Sequence, residues 1–208
     1  VVFNDAAMKR ILAYKAGRSE KGDEFGTEWN DRDQNWALYT NAWANTNWFD
    51  EMYRKNAPTQ EHNLSVSGGS GNVNYYVSGA VLDQQGIIRH GSDLFKRYNL
   101  TAKMNIKILP WLTLGYTNRW TREEYSRPSY MTGLFFHNIA RRWPTNPVRD
   151  PNGYYVAGNE IIQMEGSGID RTQKDYSAQQ ITLEARPIAG LMLRAENNYN
   201  VTSANNHW

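Results

Sequence analysis

The sequence predicts an all-β chain that forms a segment of an antiparallel transmembrane β-barrel, with about six strands, long extracellular loops and short helices. Apolar and polar residues alternate along its later segments, as they do in strands that have two different faces. Those segments are as long as strands that cross a bilayer. Short turns also alternate with long connections between them, which is how outer-membrane barrels arrange their two ends.

The composition excludes several classes of protein. The 208 residues include 23 basic and 21 acidic side chains, and a net charge of +2 lacks the basic surface typical of nucleic-acid-binding proteins. A chain without cysteine has no disulfide and no thiolate metal site. No apolar run approaches the ~20 residues of a membrane helix. Aromatic residues make up 13% of the chain, which suits a membrane interface or a sugar-binding surface.

Residues 1–60 are predicted to be an irregular segment with short helices that precedes or lies between the first barrel strands. One helix is expected behind the capping candidates Asn4 and Asp5, and a second is expected to begin at Asn47. The charged stretch 18–35 has no periodicity, and it is predicted to be a surface loop.

Residues 61–208 are predicted to be antiparallel barrel strands. In 96–108 the even positions are apolar and the odd ones polar, and 112–122 alternates in the same way after a tight turn. Two further hairpins are expected, at 63–84 and 181–201. Soluble strands usually have ~5–6 residues, whereas a tilted strand needs ~9–11 to cross a bilayer. The strands predicted at 96–108 and 112–122 are therefore long enough for a membrane barrel.

The alternation also predicts the two faces of the sheet. Leu100 and Met104 are expected to face lipid, whereas Lys103 is expected to face the polar interior. The adjacent Tyr75 and Tyr76 interrupt the pattern in the preceding strand. The sequence therefore leaves the face assignment of that strand open.

The long connection at 125–175 is the best candidate for a functional surface. Unstructured connections longer than ~12–15 residues are uncommon unless they are functional. Helical spacing from Met131 to Ile139 predicts a short amphipathic helix, and the residues 150–153 predict a turn. Two interpretations stay open: the aromatic residues pack the loop, or a set of loop residues faces a ligand or a docking partner. That set is Tyr125, Tyr130, Arg142, Trp143 and Tyr154.

No catalytic or metal site is predicted. The histidines are far apart in sequence and lack metal-site spacing; they are His62, His90, His137 and His207. The glycine-rich stretch 67–72 lacks the lysine and the following helix of a phosphate loop. We therefore expect no enzyme activity and no cofactor.

Several segments resemble the SusC/RagA family of TonB-dependent outer-membrane transporters. The segments that carry the resemblance are Asn47-Trp48-Phe49-Asp50-Glu51, Gln60-Glu61-His62-Asn63-Leu64-Ser65-Val66-Ser67-Gly68-Gly69, Tyr75-Tyr76, Asp83-Gln84-Gln85-Gly86-Ile87-Ile88 and Lys96-Arg97-Tyr98-Asn99. In this order and spacing they are similar to the first barrel strands that follow the plug in that family. The resemblance is specific over 46–124.

The resemblance implies an N-terminal plug inside a barrel of about 22 strands, and location in the outer membrane as a multi-pass barrel. It implies four partners: a SusD-like surface lipoprotein, the TonB complex acting through N-terminal parts outside this sequence, outer-membrane lipid, and an oligosaccharide or peptide substrate. Nucleic acid is not an expected partner. Because the chain begins at Val1 without an initiator methionine or a signal peptide, we expect it to be an internal piece of a longer protein.

Two other functions stay open at this point. One is a secreted carbohydrate-binding β-sandwich, which the tryptophan and tyrosine content also suits. The other is a small self-contained porin or adhesin barrel, which needs at least ~8 strands and therefore more than the sequence reveals.

Overall fold

A computed structural model of the chain describes residues 2–18, 28–30, 35–37, 44–131, 133–150, 153–156 and 158–207. The chain divides into two compact units. We call them the loop unit, which comprises Val1–Asn56, Ile87–Ser92 and Pro128–Gly168, and the sheet unit, which comprises Ala57–Gly86, Asp93–Arg127 and Ile169–Trp208.

The sheet unit is a six-stranded sheet in which strands that follow each other in sequence are neighbours in space. The strands are β3 (Thr59–Gly69), β4 (Val73–Gln85), β5 (Leu94–Leu109), β6 (Leu112–Pro128), β7 (Ile169–Ala185) and β8 (Leu193–His207). Their lengths run from 11 to 17 residues, so all of them reach or exceed the ~9–11 residues of a membrane-spanning strand. The predicted antiparallel fold with about six strands is confirmed.

The register gives the sheet an apolar face and a polar face. Across β5 and β6, Leu100 pairs with Trp120 and Met104 pairs with Tyr116. Because alternate residues point to opposite faces, the side chain of Lys103 lies on the other face from these pairs. The apolar side chains are uncovered, as Leu64 on β3 illustrates at 75% exposure.

Two strands extend further than their alternation predicts. Arg122 on β6 pairs with Asp175 on β7 at 2.8 Å, and Arg127 pairs with Asp170 at 2.8 Å. These ion pairs join the two strands over stretches where polar residues interrupt the apolar pattern. The connection between them therefore covers 129–168, which is shorter at both ends than the predicted 125–175.

The loop unit contains four helices and one small sheet among its described residues. They are α1 (Asp5–Arg18), β1 (Glu28–Asn30), β2 (Asn35–Ala37), α2 (Trp48–Met52), α3 (Phe135–Arg141) and α4 (Glu160–Gly166). None of these helices is both long enough and apolar enough to cross a membrane. The predicted surface loop at 18–35 falls mostly outside the described residues, and its described part includes β1, which pairs with β2.

Three stretches of chain meet in the core of the loop unit. The buried residues are Trp48, Met52, Ile88, Phe135, Ile139, Ile161 and Met164. Backbone bonds tie the stretches together: Arg89 N donates to Met52 O at 2.9 Å, and Thr46 N donates to Pro144 O at 2.8 Å. The long connection is therefore a packed structure with a core of its own.

The predicted helices form, with different details at their ends. Asn4 caps α1 by accepting a bond from Ala7 N at 2.8 Å. Asn47 precedes α2, but its side-chain amide donates to the Asp50 carboxylate at 2.6 Å and caps no backbone N–H. The predicted loop helix is α3, whose Phe135 and Ile139 are buried.

Helix α4 was not predicted from the sequence. Its cap, Asn159, is fully buried; its Oδ1 accepts from Ile161 N at 2.9 Å and its Nδ2 donates to Val148 O at 3.1 Å. With Ile161 and Met164 buried, this helix closes one side of the core. Its apolar residues do not mark one face in the sequence, because Ile162 is exposed while the adjacent Ile161 is buried.

Candidate functional site

The predicted site residues fall into two groups. Tyr125 is part of β6 and therefore belongs to the sheet unit, whereas the other four belong to the loop unit. Within the loop unit, Tyr130 packs against the core. Tyr154 lies at a turn and is 72% exposed, with its backbone N–H bonded to Asp150 Oδ1 at 2.9 Å.

Arg142 is held tightly inside the loop unit. Its guanidinium pairs with the Glu160 carboxylate and donates to Gly158 O at 2.7 Å. It also lies over the Trp48 ring, 4.5 Å from the ring centroid. Both charged side chains of the pair are only 11% exposed. Arg142 therefore connects the end of α3 to the start of α4 and to the core.

Trp143 has the opposite environment. Its side chain is 70% exposed, while its carbonyl oxygen accepts a bond from Trp48 Nε1 at 3.0 Å. The ring borders a mainly apolar groove of about 390 Å³, which we call the Trp143 groove; it is lined by Phe3, Trp48, Phe49, Ile139, Ala140, Arg141, Arg142, Trp143 and Pro144. A fixed backbone with a free indole is suited to contacting another molecule.

The structure contains a polar cluster around His90 that the sequence does not predict. His90 Nδ1 lies 2.8 Å from Glu165 Oε1, and its Nε2 lies 2.9 Å from the carbonyl oxygen of Glu51. Tyr155 donates its hydroxyl to the same carboxylate oxygen at 3.2 Å. Burial, followed by the nearby Glu165 carboxylate, raises the pKa of Tyr155 above 10.0. The partners come from three separate stretches, so no local motif signals the cluster.

Tyr125 contributes to a second cavity, on the polar face of the sheet unit. This cavity has a volume of about 310 Å³, and we call it the β5–β7 pocket; it is lined by Phe95, Glu123, Tyr125, Arg127, Thr172 and Lys174. Alternate positions on β6 and on β7 supply its wall, as expected for one face of a sheet. Of these lining residues, the sequence predicts only Tyr125 as a site residue. The alternation of Glu123, Tyr125 and Arg127 was the available signal for the rest.

Metal binding has no support among the described residues. They contain no group of three or more histidine and carboxylate side chains that could hold a metal ion. The ion pairs of Arg122, Arg127 and Arg142 each join neighbouring strands or helices, and they stabilise the fold.

Comparison with known proteins gives sequence relatives and a structural neighbour. No known protein-family profile matches the chain. TonB-dependent receptor P26 of Formosa agariphila is 27% identical over 58% of this chain, and TonB-dependent receptor P3 of the same organism is 30% identical over 45%. The predicted resemblance to TonB-dependent transporters of the SusC/RagA type is confirmed. These matches cover 12% and 9% of the two TonB-dependent receptors, so the chain spans about a tenth of their length.

A solved transporter structure has a similar fold. A chain of the RagAB peptide transporter superposes with a TM-score of 0.59 at 23% identity, covering 78% of this chain and 19% of the transporter chain. At this identity the likeness concerns the fold. The sequence relatives and the neighbour are named as receptors and a transporter, and none is named as an enzyme.

Proposed function

We propose that the chain forms part of the wall and of the external loops of an outer-membrane, TonB-dependent importer of oligosaccharides or peptides. The observation that carries the proposal is a six-stranded antiparallel sheet of membrane-spanning length with one uncovered apolar face and one polar face. The TonB-dependent receptors among the relatives support it, and so does the likeness to a peptide transporter. A β-sandwich needs a second sheet packed on the apolar face, and the described part of the sheet unit is a single sheet of six strands.

The wall's role follows from its two faces. On the apolar face, Leu100, Met104 and their neighbours are removed from water by contact with lipid. Backbone hydrogen bonds between neighbouring strands satisfy the N–H and C=O groups, since lipid offers them no hydrogen-bond partners. The polar face borders the interior through which a solute passes. Energy comes from the inner membrane through the TonB complex, which contacts parts of the protein outside this chain.

The loop unit is proposed to dock a SusD-like surface lipoprotein that captures the substrate. Trp143 and Tyr154 are exposed and supply contact surface, and the Trp143 groove offers an apolar pocket with arginines beside it. Arg142 and Tyr130 act indirectly by holding the loop unit in shape. Tyr125 contributes from the sheet unit, by lining the solute path.

Uptake by intact cells tests the importer. Cells that lack the full-length gene should lose uptake of the natural oligosaccharide or peptide, and reintroduction should restore it only when TonB is functional. Uptake that continues without TonB, or a full-length product found in the soluble fraction without detergent, overturns the proposal.

Labelling with an impermeant thiol reagent tests the topology. In a full-length protein without other cysteines, Gln163→Cys on α4 should react on intact cells because that position is exposed in the long connection. Ser70→Cys lies in the short turn between β3 and β4 and should react only after the cells are opened. If only Ser70→Cys is labelled on intact cells, the orientation of the sheet in the membrane is the reverse of the proposed one.

Substitution in the Trp143 groove tests docking. Trp143→Ala should weaken the affinity for the lipoprotein by about 1–3 kcal/mol if the indole anchors the contact. Leu134→Ala is the matched control, since Leu134 is 65% exposed in the same connection and does not line the groove. Equal affinities for both variants and the wild type would remove the groove from the interface.

A further inference from the structure

The β5–β7 pocket lies where cross-strand pairs place aromatic and charged side chains together. Phe95 on β5 pairs directly with Tyr125 on β6, and Arg97 pairs with Glu123. Thr172 and Lys174 are two residues apart on β7 and therefore point to the same side. A volume of about 310 Å³ is at the lower end of the range for ligand pockets, ~300–1,000 Å³. The pocket can hold one or two units of an oligomer.

The charges in the β5–β7 pocket are not equally available. Arg127 is bound to Asp170 at 2.8 Å, and its guanidinium carbon lies 5.9 Å from the Tyr125 ring centroid. Within the part of the chain that the structure describes, Lys174 has no carboxylate within ion-pair distance, and Glu123 has no cation within it. The register partner Arg97 does not pair with Glu123 either. An ammonium and a carboxylate are thus both free to bind a ligand.

Lys174 makes the β5–β7 pocket suited to an anionic group. Near the β5–β7 pocket the charges are balanced: the cations are Arg97, Arg127 and Lys174, and the carboxylates are Glu123, Asp170 and the buried Asp93. Because Arg127 is already paired with Asp170, the ammonium of Lys174 is the cation of the pocket lining that remains for an anionic group. Lys174 is therefore suited to a carboxylate, and Glu123 to a hydrogen-bond donor beside it. The Tyr125 and Phe95 rings offer an apolar surface to the rest of the unit.

We propose that the β5–β7 pocket binds a carboxylate-bearing unit of the imported oligomer, with the carboxylate on Lys174, an adjacent donor on Glu123 and the body of the unit against Tyr125. The inference rests on the proposed function and narrows its substrate to acidic ligands. A uronic acid unit of an oligosaccharide and the terminal residue of a peptide share this chemistry. The two sources differ in their donors, which are hydroxyls in the sugar and N–H groups in the peptide.

Calorimetry on the purified full-length transporter in detergent tests the pocket. The probes are trigalacturonate and trialanine, with maltotriose and trialanine amide as counterparts that lack the carboxylate. The wild type should bind at least one carboxylate probe, and Lys174→Gln should weaken that binding by about tenfold or more because a charge-assisted hydrogen bond is lost. Lys107→Gln, which removes a cation from the same face outside the pocket, should keep the wild-type affinity within about twofold.

The probes also identify the source of the carboxylate. Lys174-dependent binding of trigalacturonate alone assigns the pocket to acidic sugars, and such binding of trialanine alone assigns it to peptides. Glu123→Gln should weaken the binding of the same probe. Glu184→Gln, which changes a carboxylate on the same face outside the pocket, should leave that binding unchanged. Each variant must first show wild-type heat-modifiable migration, so that a misassembled barrel is not taken for lost binding.

Three results overturn the inference. They are a wild type that binds neither carboxylate probe, equal binding of a probe and its uncharged counterpart, and equal affinity in Lys174→Gln and Lys107→Gln. If TonB-dependent uptake persists under any of these results, the proposed importer function is retained and only the proposed ligand pocket is rejected. If uptake does not depend on TonB, the proposed importer function is rejected, whatever the calorimetry shows.

Discussion

Arg142 and Trp143 are neighbours in the sequence with opposite environments. The Arg142 side chain is 11% exposed and has its charge satisfied by Glu160, whereas the Trp143 side chain is 70% exposed. The sequence predicts both residues in one candidate site, because basic and aromatic residues are common at interfaces. The structure separates a residue that holds the loop unit together from one that is free to make contacts.

Removing the Arg142 charge should destabilise the loop unit. Arg142→Gln leaves the Glu160 carboxylate buried without its cation, a change that costs about 3 kcal/mol. Amide hydrogen exchange at Ile139 and Ile161 should report the loss of local stability. Arg141→Gln is the matched control, because its contact with His137 is exposed, and it should change stability by about 0.5 kcal/mol or less. Equal losses in the two variants would contradict a structural role for Arg142.

Alkaline pH should weaken the loop unit through Tyr53. Burial raises the pKa of Tyr53 above its ordinary value of 10.0, so the folded state holds the phenolic proton more tightly than the unfolded state. This contribution to stability is full below pH 10.0 and is lost as the pH rises through the folded pKa. Tyr53→Phe should therefore lose less stability at high pH than the wild type.

Absorbance titration of tyrosinate measures the Tyr53 effect directly. The difference between the wild-type and Tyr53→Phe curves isolates the one phenol, and its midpoint should lie above pH 10.0. A difference curve centred below that value would show that the folded state favours the charged form.

At the scale of elements, the register settles what alternation left open. Tyr75 pairs with Met104 and Tyr76 pairs with Lys103, so the two adjacent tyrosines lie on the apolar and the polar face respectively. Alternation within one strand cannot decide this, because both residues are amphipathic. Cross-strand neighbours decide it, since a shift of one residue moves every side chain to the other face.

The two faces of β5 should respond differently to arginine. Met104→Arg places a charge in the lipid-facing band and should lower the free energy of unfolding in bilayers by about 2–4 kcal/mol near the midplane. Lys103→Arg keeps a cation on the polar face and should have little effect. Denaturant titration of the full-length protein in vesicles gives both values, and equal losses would contradict the assignment of the faces.

At the scale of the whole molecule, the chain divides its residues between a sheet and a packed loop unit. The pieces of the loop unit come from before β3, from the β4–β5 connection and from the β6–β7 connection. Its core draws on all three, because Trp48, Ile88 and Phe135 are buried together. The long connection is thus ordered by partners far away in sequence.

Replacing 130–166 with a short flexible linker should show what each unit contributes to barrel assembly and to uptake. The full-length barrel should still assemble and migrate as a heat-modifiable species, since the ion pairs between β6 and β7 remain. Uptake should fall, and the fluorescence of Trp48 should report exposure to water because Phe135 and Ile161 are lost from around it. Wild-type uptake in this variant would leave the connection without a role in transport.

The sequence by itself determined the fold class, the hairpin order and three of the four described helices. These features depend on the spacing of apolar residues, on caps and on turns, all of which act over a few residues. Asn4 caps α1 as its position predicts, and the polar and apolar positions of β5 lie on opposite faces. The segments that resembled a transporter family were also local stretches of sequence.

Only the tertiary structure decided where the strands end, which residues form the core of the loop unit and which candidate residues share a surface. Asp175 on β7 pairs with Arg122 on β6 across a separation of 53 residues, and His90 meets Glu165 across a separation of 75 residues. Lys174 became a candidate only when β7 brought it beside Tyr125. Such contacts depend on packing between distant segments, and the spacing of residues within one segment carries no information about them.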